Sequence, residues 1–285
     1  MLINRRRALA LAALASCSGR YPGGPTRSSN ASSILLSGSD TMVLLARRWA
    51  EAFARETRCV VQVSGGGSGT GIAALLNGTA DLAMSSRPMH ERERRALAAR
   101  GRTAREHVVA VDAVAVYACA DARLSTITLA QLAALYRGQL ERWTTLDGRS
   151  NRVVLYGRES SSGTYAFFKE RVLAGRDFAP EIQSLPGTAS VIDAVARDQT
   201  SLGYAGLSTS RHVRRIAVGA TLTDACEPQS EHVASGRYPL ARPLFLYPTA
   251  SAPERVQQFV AWVQSDAGQR LAEQEGFLRA IARSA

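Results

Sequence analysis

Arg158, followed by Glu159, three consecutive serines, Gly163 and Thr164, opens a dense run of hydrogen-bond donors, Gly157-Arg-Glu-Ser-Ser-Ser-Gly-Thr-Tyr-Ala-Phe-Phe168. A guanidinium is a planar, permanently charged fork that grips an oxyanion through two parallel bonds. Serine and threonine hydroxyls add donors, and glycine lets backbone amides approach closely. Together these residue types suit a dehydrated oxyanion that is held and not chemically altered. The competing reading makes Arg158 the partner of a neighbouring carboxylate such as Glu159, and Ser162 a helix cap.

Three other stretches repeat the pattern. Ser37-Gly-Ser-Asp-Thr41 and Ser64-Gly-Gly-Gly-Ser-Gly-Thr-Gly71 each lie between a strand-like run and a helical one, and Ser85-Ser-Arg-Pro88 does the same. A helix N-terminus leaves its first amides unpaired and carries partial positive charge, so it attracts anions. Any one such loop is also explained by capping and turning. Four strand-to-helix mouths in one chain point to a ligand crevice, because open α/β sheets bind at such places.

Catalysis finds little support. Ser162 has neither a G-x-S-x-G elbow nor an S-x-x-K pairing around it, and His90, His107, His212 and His232 lie in no active-site motif. The loop over residues 65–71 lacks the Gly-Lys-Ser/Thr ending of a Walker A. No Cys/His spacing suggests a metal, and nothing calls for a cofactor.

Those mouths need a scaffold, and the chain supplies one. Its 285 residues are 46% hydrophobic and 21% charged, which is ordinary globular composition. "SSILLSG", "RCVVQVSG", "DLAMS", "HVVAVDAVAVYA", "NRVVLYG", "SLGYAGL" and "PLFLYP" read as strands. "TMVLLARRWAEAFARET", "TLAQLAALYRG", "TYAFFKERVLAG", "TASVIDAVARD" and "APERVQQFVAWVQSDAGQRLAEQEG" read as helices. Alternation of this kind predicts an α/β architecture. The run over 106–118 is long for one strand, as expected of a segment crossing between two lobes.

The N-terminus stands apart. Arg5, Arg6 and Arg7 precede an apolar run over residues 8–15, and Leu14-Ala-Ser-Cys17 resembles a lipobox. Residues 1–16 therefore read as a signal peptide, Cys17 as the lipidated residue, and residues 17–32 as a flexible tether. Removing 1–16 takes three arginines from the formal +11 and leaves +8. Lys169 is the only lysine, and the arginines are scattered, not massed on one element, which argues against a nucleic-acid partner. Cys59, Cys119 and Cys226 are compatible with buried thiols or with one disulfide.

Taken together, "SGSDTM", "VSGGGSGTGIAALLNGTADLAMSSRPM", "YGRESSSGTYAFFKERVL", "GYAGL" and "SGRYPLARPLFLY" resemble the phosphate-binding proteins of bacterial phosphate ABC transporters, most of all the short branch of that family, over residues 33–282. The resemblance implies a type II periplasmic-binding-protein fold, two α/β lobes joined by a hinge. Lobe one would comprise residues 33–112 and 243–285, and lobe two residues 113–242. It implies a phosphate site formed by Ser39, Asp40, Thr41, Ser68, Ser86, Arg158, Ser162, Gly163 and Thr164. Together with the lipobox at Cys17 it points to a monomeric, lipid-anchored receptor in the periplasm or on the outer face of the membrane, with inorganic phosphate and permease subunits as partners. A receptor for sulfate or molybdate, or a phosphate sensor without a transport role, would use the same cradle.

One position departs from the family pattern. Ser86 stands where other members carry an aspartate that accepts the proton of phosphate. Asp40 is the candidate replacement, its other reading being a helix cap. Arg87 either adds charge to the site or pairs with Glu91.

Overall fold

The structure, a computed structural model, describes residues 33–207 and 211–280. The leader, Cys17 and the tether read from the sequence lie outside the described residues.

Alternation of strand and helix organises the chain. β1 (Ser33–Gly38) buries every second residue, as a half-covered strand does. A 3-10 turn over Asp40–Met42 leads into α1 (Val43–Thr57), whose Leu45, Ala46, Trp49, Ala50 and Phe53 form one apolar stripe. β2 (Val60–Ser64) and α2 (Ser68–Asn77) follow. β3 (Leu82–Ser85) is buried at all its positions, as befits a strand covered on both faces. α3 (Glu91–Ala98) then precedes β4 (His107–Cys119).

The middle of the chain contains β5 (Thr126–Thr128), α4 (Leu129–Tyr136), β6 (Val154–Arg158), α5 (Gly163–Arg171), β7 (Gln183–Leu185), α6 (Gly187–Arg197), β8 (Ser201–Gly206), β9 (Val213–Gly219) and α7 (Ser230–Ala234). β10 (Ala241–Pro248) returns the chain to β3 and β4, and α8 (Glu254–Gln264) and α9 (Asp266–Gln274) finish it. The single long C-terminal helix expected from the sequence is thus two helices. Ser265 is extended between them, and Gly268 lets α9 fold against the carbonyls of Trp262 and Val263.

Strands hydrogen-bond in the order β2-β1-β3-β10-β4-β8-β6-β7, with β9 beside β4 and β5 beside β9. β4 is the pivot of this arrangement. Its residues from His107 to Ala113 pair antiparallel with β10, and those from Val114 onward pair with β8 and β9. The buried side chains divide at the same place. One core gathers Trp49, Phe53, Leu82, Ala110, Leu246 and Phe259, and another gathers Val114, Tyr136, Trp143, Phe168, Tyr204 and Tyr238. Phe168 stacks on Tyr204 with ring centroids 3.8 Å apart, and Tyr136 meets both edge-on. That aromatic packing holds α5 against β8, and so fixes the mouth that precedes α5.

Candidate functional site

The mouths named from the sequence converge where the two cores meet. Ser39, Asp40 and Thr41 follow β1, Ser68 opens α2, and Ser86 follows β3. Arg158 ends β6, Ser162 caps α5, and Gly163 and Thr164 form its first turn. Ser39, Ser68, Ser86, Arg158, Ser162 and Thr164 are all buried, none more than 3% exposed. Polar residues are excluded from water to this degree only when they hold one another or a ligand.

Contacts bridge the two sides. The Arg158 guanidinium donates to Asp40 Oδ2 at 2.9 Å, the Thr41 and Thr164 hydroxyls lie 3.2 Å apart, and the Gly69 amide donates to the Ser161 carbonyl at 2.9 Å. A methyl group on Gly163 would collide with Ser68 Oγ and Ser86 Oγ, so this glycine lets the mouth of α5 close on the mouth of α2. Ser68 Oγ also accepts from the Ser86 amide at 3.0 Å. Two clefts flank the junction. One of about 480 Å³ is lined in part by Arg158, Ser161 and Tyr165, and one of about 380 Å³ by Asp40, Thr41 and Thr188.

The electrostatics leave Arg158 partly unserved. Its NH2 is held by Asp40, yet Nε and NH1 are buried and have no partner among the described residues. Burial lowers its pKa, Asp40 opposes that, and the nearby Arg242 guanidinium adds to it. An anion against the two bare nitrogens would relieve both the desolvation and the repulsion.

Several residues do other work than the sequence suggested. Asp40 does not cap α1: its Oδ1 accepts from the Gly66 amide at 2.8 Å while Oδ2 takes Arg158. Glu159 is therefore not the partner of Arg158. Ser162 Oγ accepts from the Thr164 amide at 3.1 Å, so that amide serves the helix, and only the Ser162 hydroxyl proton remains to donate elsewhere. Arg87 forms a two-pronged pair with Glu93 at 2.7 and 2.8 Å, not with Glu91. Cys59, Cys119 and Cys226 are buried free thiols.

Two residues escaped the sequence reading. Thr188, in the first turn of α6, has a buried hydroxyl without a partner among the described residues. The signal was present, because Leu185-Pro-Gly-Thr-Ala189 is another strand-to-helix mouth. Arg242, on β10, donates to Asp112 Oδ2 at 2.8 and 3.0 Å and reaches both Thr41 and Thr164. Burial lowers the Arg242 pKa and raises that of Asp112, and each partner counters the shift of the other.

A sheet divided between two cores, with anion-attracting helix mouths at the division, defines a substrate-binding protein of the two-lobed kind. The chain belongs to the PBP superfamily, whose domain model matches residues 23–267. It is 32% identical over 271 residues to the phosphate-binding protein PstS of Pseudomonas aeruginosa, across 88% of this chain and 83% of the relative. A substrate-binding protein from Clostridium perfringens, solved with bound phosphate, superposes with a TM-score of 0.79 at 23% identity, across 87% of this chain and all of that one. An ABC-type phosphate transport receptor from Vibrio cholerae gives 0.72 at 24% identity, with 87% of this chain covered and all of that one. The α/β expectation thus holds, and the fold is that of the type II periplasmic binding proteins.

Proposed function

We propose that this protein captures inorganic phosphate between two lobes outside the cytoplasm and delivers it to an ABC permease. The observation that carries the reading is Arg158, 2% exposed, bonded to Asp40 from the opposite side and left with two bare nitrogens. Residues 33–112 and 243–285 form one lobe and residues 113–242 the other, hinged where β4 and β10 pass between them. Ser39, Thr41, Ser68, Ser86, Ser162 and Thr164 supply hydroxyls and Gly163 its amide, Arg158 supplies charge, and Asp40 accepts the ligand proton in place of the family aspartate. Balance comes mostly from neutral dipoles, which are strong where water is excluded. The relative with 32% identity supports phosphate as the ligand. Sulfate has no proton to offer Asp40, and would face a carboxylate instead. The protein works as a monomer held to the membrane through a lipid on Cys17.

Calorimetric titration of the protein, stripped of bound anion, with phosphate and then sulfate tests this reading. Phosphate should bind and sulfate should bind far more weakly. Arg158→Ala should lose phosphate roughly a hundredfold, since it removes a charged donor and leaves Asp40 facing the anion. Equal binding of the two anions would make this a general oxyanion receptor, and binding of neither would end the phosphate reading.

A further inference from the structure

Arg242 stands at the division between the two cores. It lies directly opposite Asp112 in the antiparallel register of β10 and β4, one rung before β4 turns from β10 to β8. Its side chain is 1% exposed and that of Asp112 is fully buried. The guanidinium does more than satisfy Asp112. Its NH2 also donates to Thr164 Oγ1 at 2.9 Å and to Thr41 Oγ1 at 3.3 Å, one hydroxyl from each side of the site. NH1 is buried and has no partner among the described residues.

We propose that Arg242 is a positioning residue of the oxyanion site, which fills acceptor positions on the hydroxyls of Thr41 and Thr164 and so biases the site toward the less protonated ligand. The inference rests on the phosphate reading and extends it to residues outside the expected ligand set. A guanidinium can only donate, so both threonine oxygens are acceptors toward Arg242, the Thr41 contact being the longest of the three that share the two hydrogens of one terminal nitrogen. The two hydroxyls also share one hydrogen bond with each other, which uses one of their two protons. Of their four lone pairs, two face Arg242 and one the shared bond, so the pair turns one proton and a single lone pair outward. An unprotonated ligand oxygen meets that proton, and a protonated one finds its acceptor at Asp40, at that lone pair or at another hydroxyl of the site. Arg242 thus lowers the number of acceptors open to ligand protons, and doubly protonated phosphate, which needs two, is served less well than the singly protonated ion.

Other groups around Arg242 do not duplicate this role. Asp112 faces it from β4, and Arg158, which holds Asp40, lies close enough on the β6 side for the two guanidiniums to repel. Phe167 from α5 offers its ring at 5.5 Å, and Tyr238 spends its hydroxyl on the Val114 carbonyl. Burial keeps the Tyr238 hydroxyl well above the ordinary tyrosine range, so it stays neutral.

The test is calorimetric titration of the full chain with inorganic phosphate, from mildly acid to mildly alkaline pH. Wild type should bind more weakly as acid converts the ligand to its doubly protonated form. Arg242→Met should lose about tenfold at the alkaline end and show a flatter profile, because freed threonine oxygens can then accept a ligand proton. Asp112→Asn removes the ion pair but keeps the donors of Arg242, so its profile should stay as steep as wild type. Parallel profiles for wild type and a folded Arg242→Met, or equal losses in Arg242→Met and Asp112→Asn, would reduce Arg242 to a hinge ion pair and overturn the proposal. If Arg242→Met fails to fold, Arg242→Lys decides. A single ammonium can keep Asp112 but cannot serve two hydroxyls as well, and wild-type affinity with a wild-type profile in Arg242→Lys would refute the role. Wild type that binds no phosphate at any pH would instead overturn the phosphate reading beneath it.

Discussion

Asp40 and Arg158 meet across the candidate site at 2.9 Å, and on the proposed reading the pair sets what the site accepts. A carboxylate beside a bound anion is unfavourable unless the anion brings a proton to share, so in that role Asp40 would select by repulsion as well as by attraction. Asp40→Asn should therefore strengthen sulfate binding and weaken phosphate binding, shrinking the ratio of the two affinities by about tenfold or more. Paired titrations of the variant measure this directly, and an unchanged ratio would leave Asp40 with only its bonds to Gly66 and Arg158. The sequence made Arg158 conspicuous because its neighbours were all donors. It gave less help with Asp40, since cap and acceptor call for the same residue type and only the position of Gly66 separates them. Arg242 and Asp112 were legible in principle, each a lone charge inside an apolar strand run, and buried charges must find partners. Nothing in either run shows that the partner on the other strand is also a neighbour of two threonines.

Helix mouths carry the site, and they follow from the way each element begins. Ser162 caps α5 with its own hydroxyl, α2 begins after Gly67 at φ 95°, and α6 begins at Gly187 with φ 72°. Gly67 takes a backbone conformation that other residues avoid, and a side chain there would also strike the Ser161 carbonyl. Gly163 has an ordinary backbone, so its absent side chain matters for space alone. Gly163→Ala should fold with little change in stability, alanine being the better helix former, yet lose phosphate affinity by about tenfold or more because the mouths of α2 and α5 can no longer meet. Thermal unfolding together with titration separates these effects, and undiminished affinity would show that the contact is not needed for binding. Alternating periodicities made the order of strands and helices readable. The break at Ser265 was not, because apolar spacing runs through it and the fold-back depends on the packing of Gly268 beneath Trp49, whose indole donates to the Gly268 carbonyl at 2.8 Å. The bond from Arg87 to Glu93 was hidden for a similar reason, since it requires the intervening turn to bring residues six apart face to face.

At the scale of the whole molecule, the hydrophobic clusters on the two sides share one continuous set of strands, and polar contacts between the sides gather at the candidate site. Asp40 with Arg158, Thr41 with Thr164, and Gly69 with Ser161 each join the two sides. On the proposed reading the closed arrangement serves the buried donors of Arg158 and Thr188 through the anion, and one with the mouths apart serves them through water. A ligand that fills the donors restores the balance, and it can shift the equilibrium only by the difference in its affinity for the two arrangements. Phosphate should therefore both compact and stabilise the protein. At about a hundredfold excess over Kd the stabilisation expected from binding alone is about 2.7 kcal/mol. For a chain of this size that corresponds to a rise in Tm of roughly 5–10 °C. Solution scattering should show a smaller radius of gyration with phosphate than without it, whereas sulfate at the same concentration should produce neither change. A rise in Tm without compaction would mean that the anion binds to lobes already closed, and would move the work of opening from the free protein to the permease.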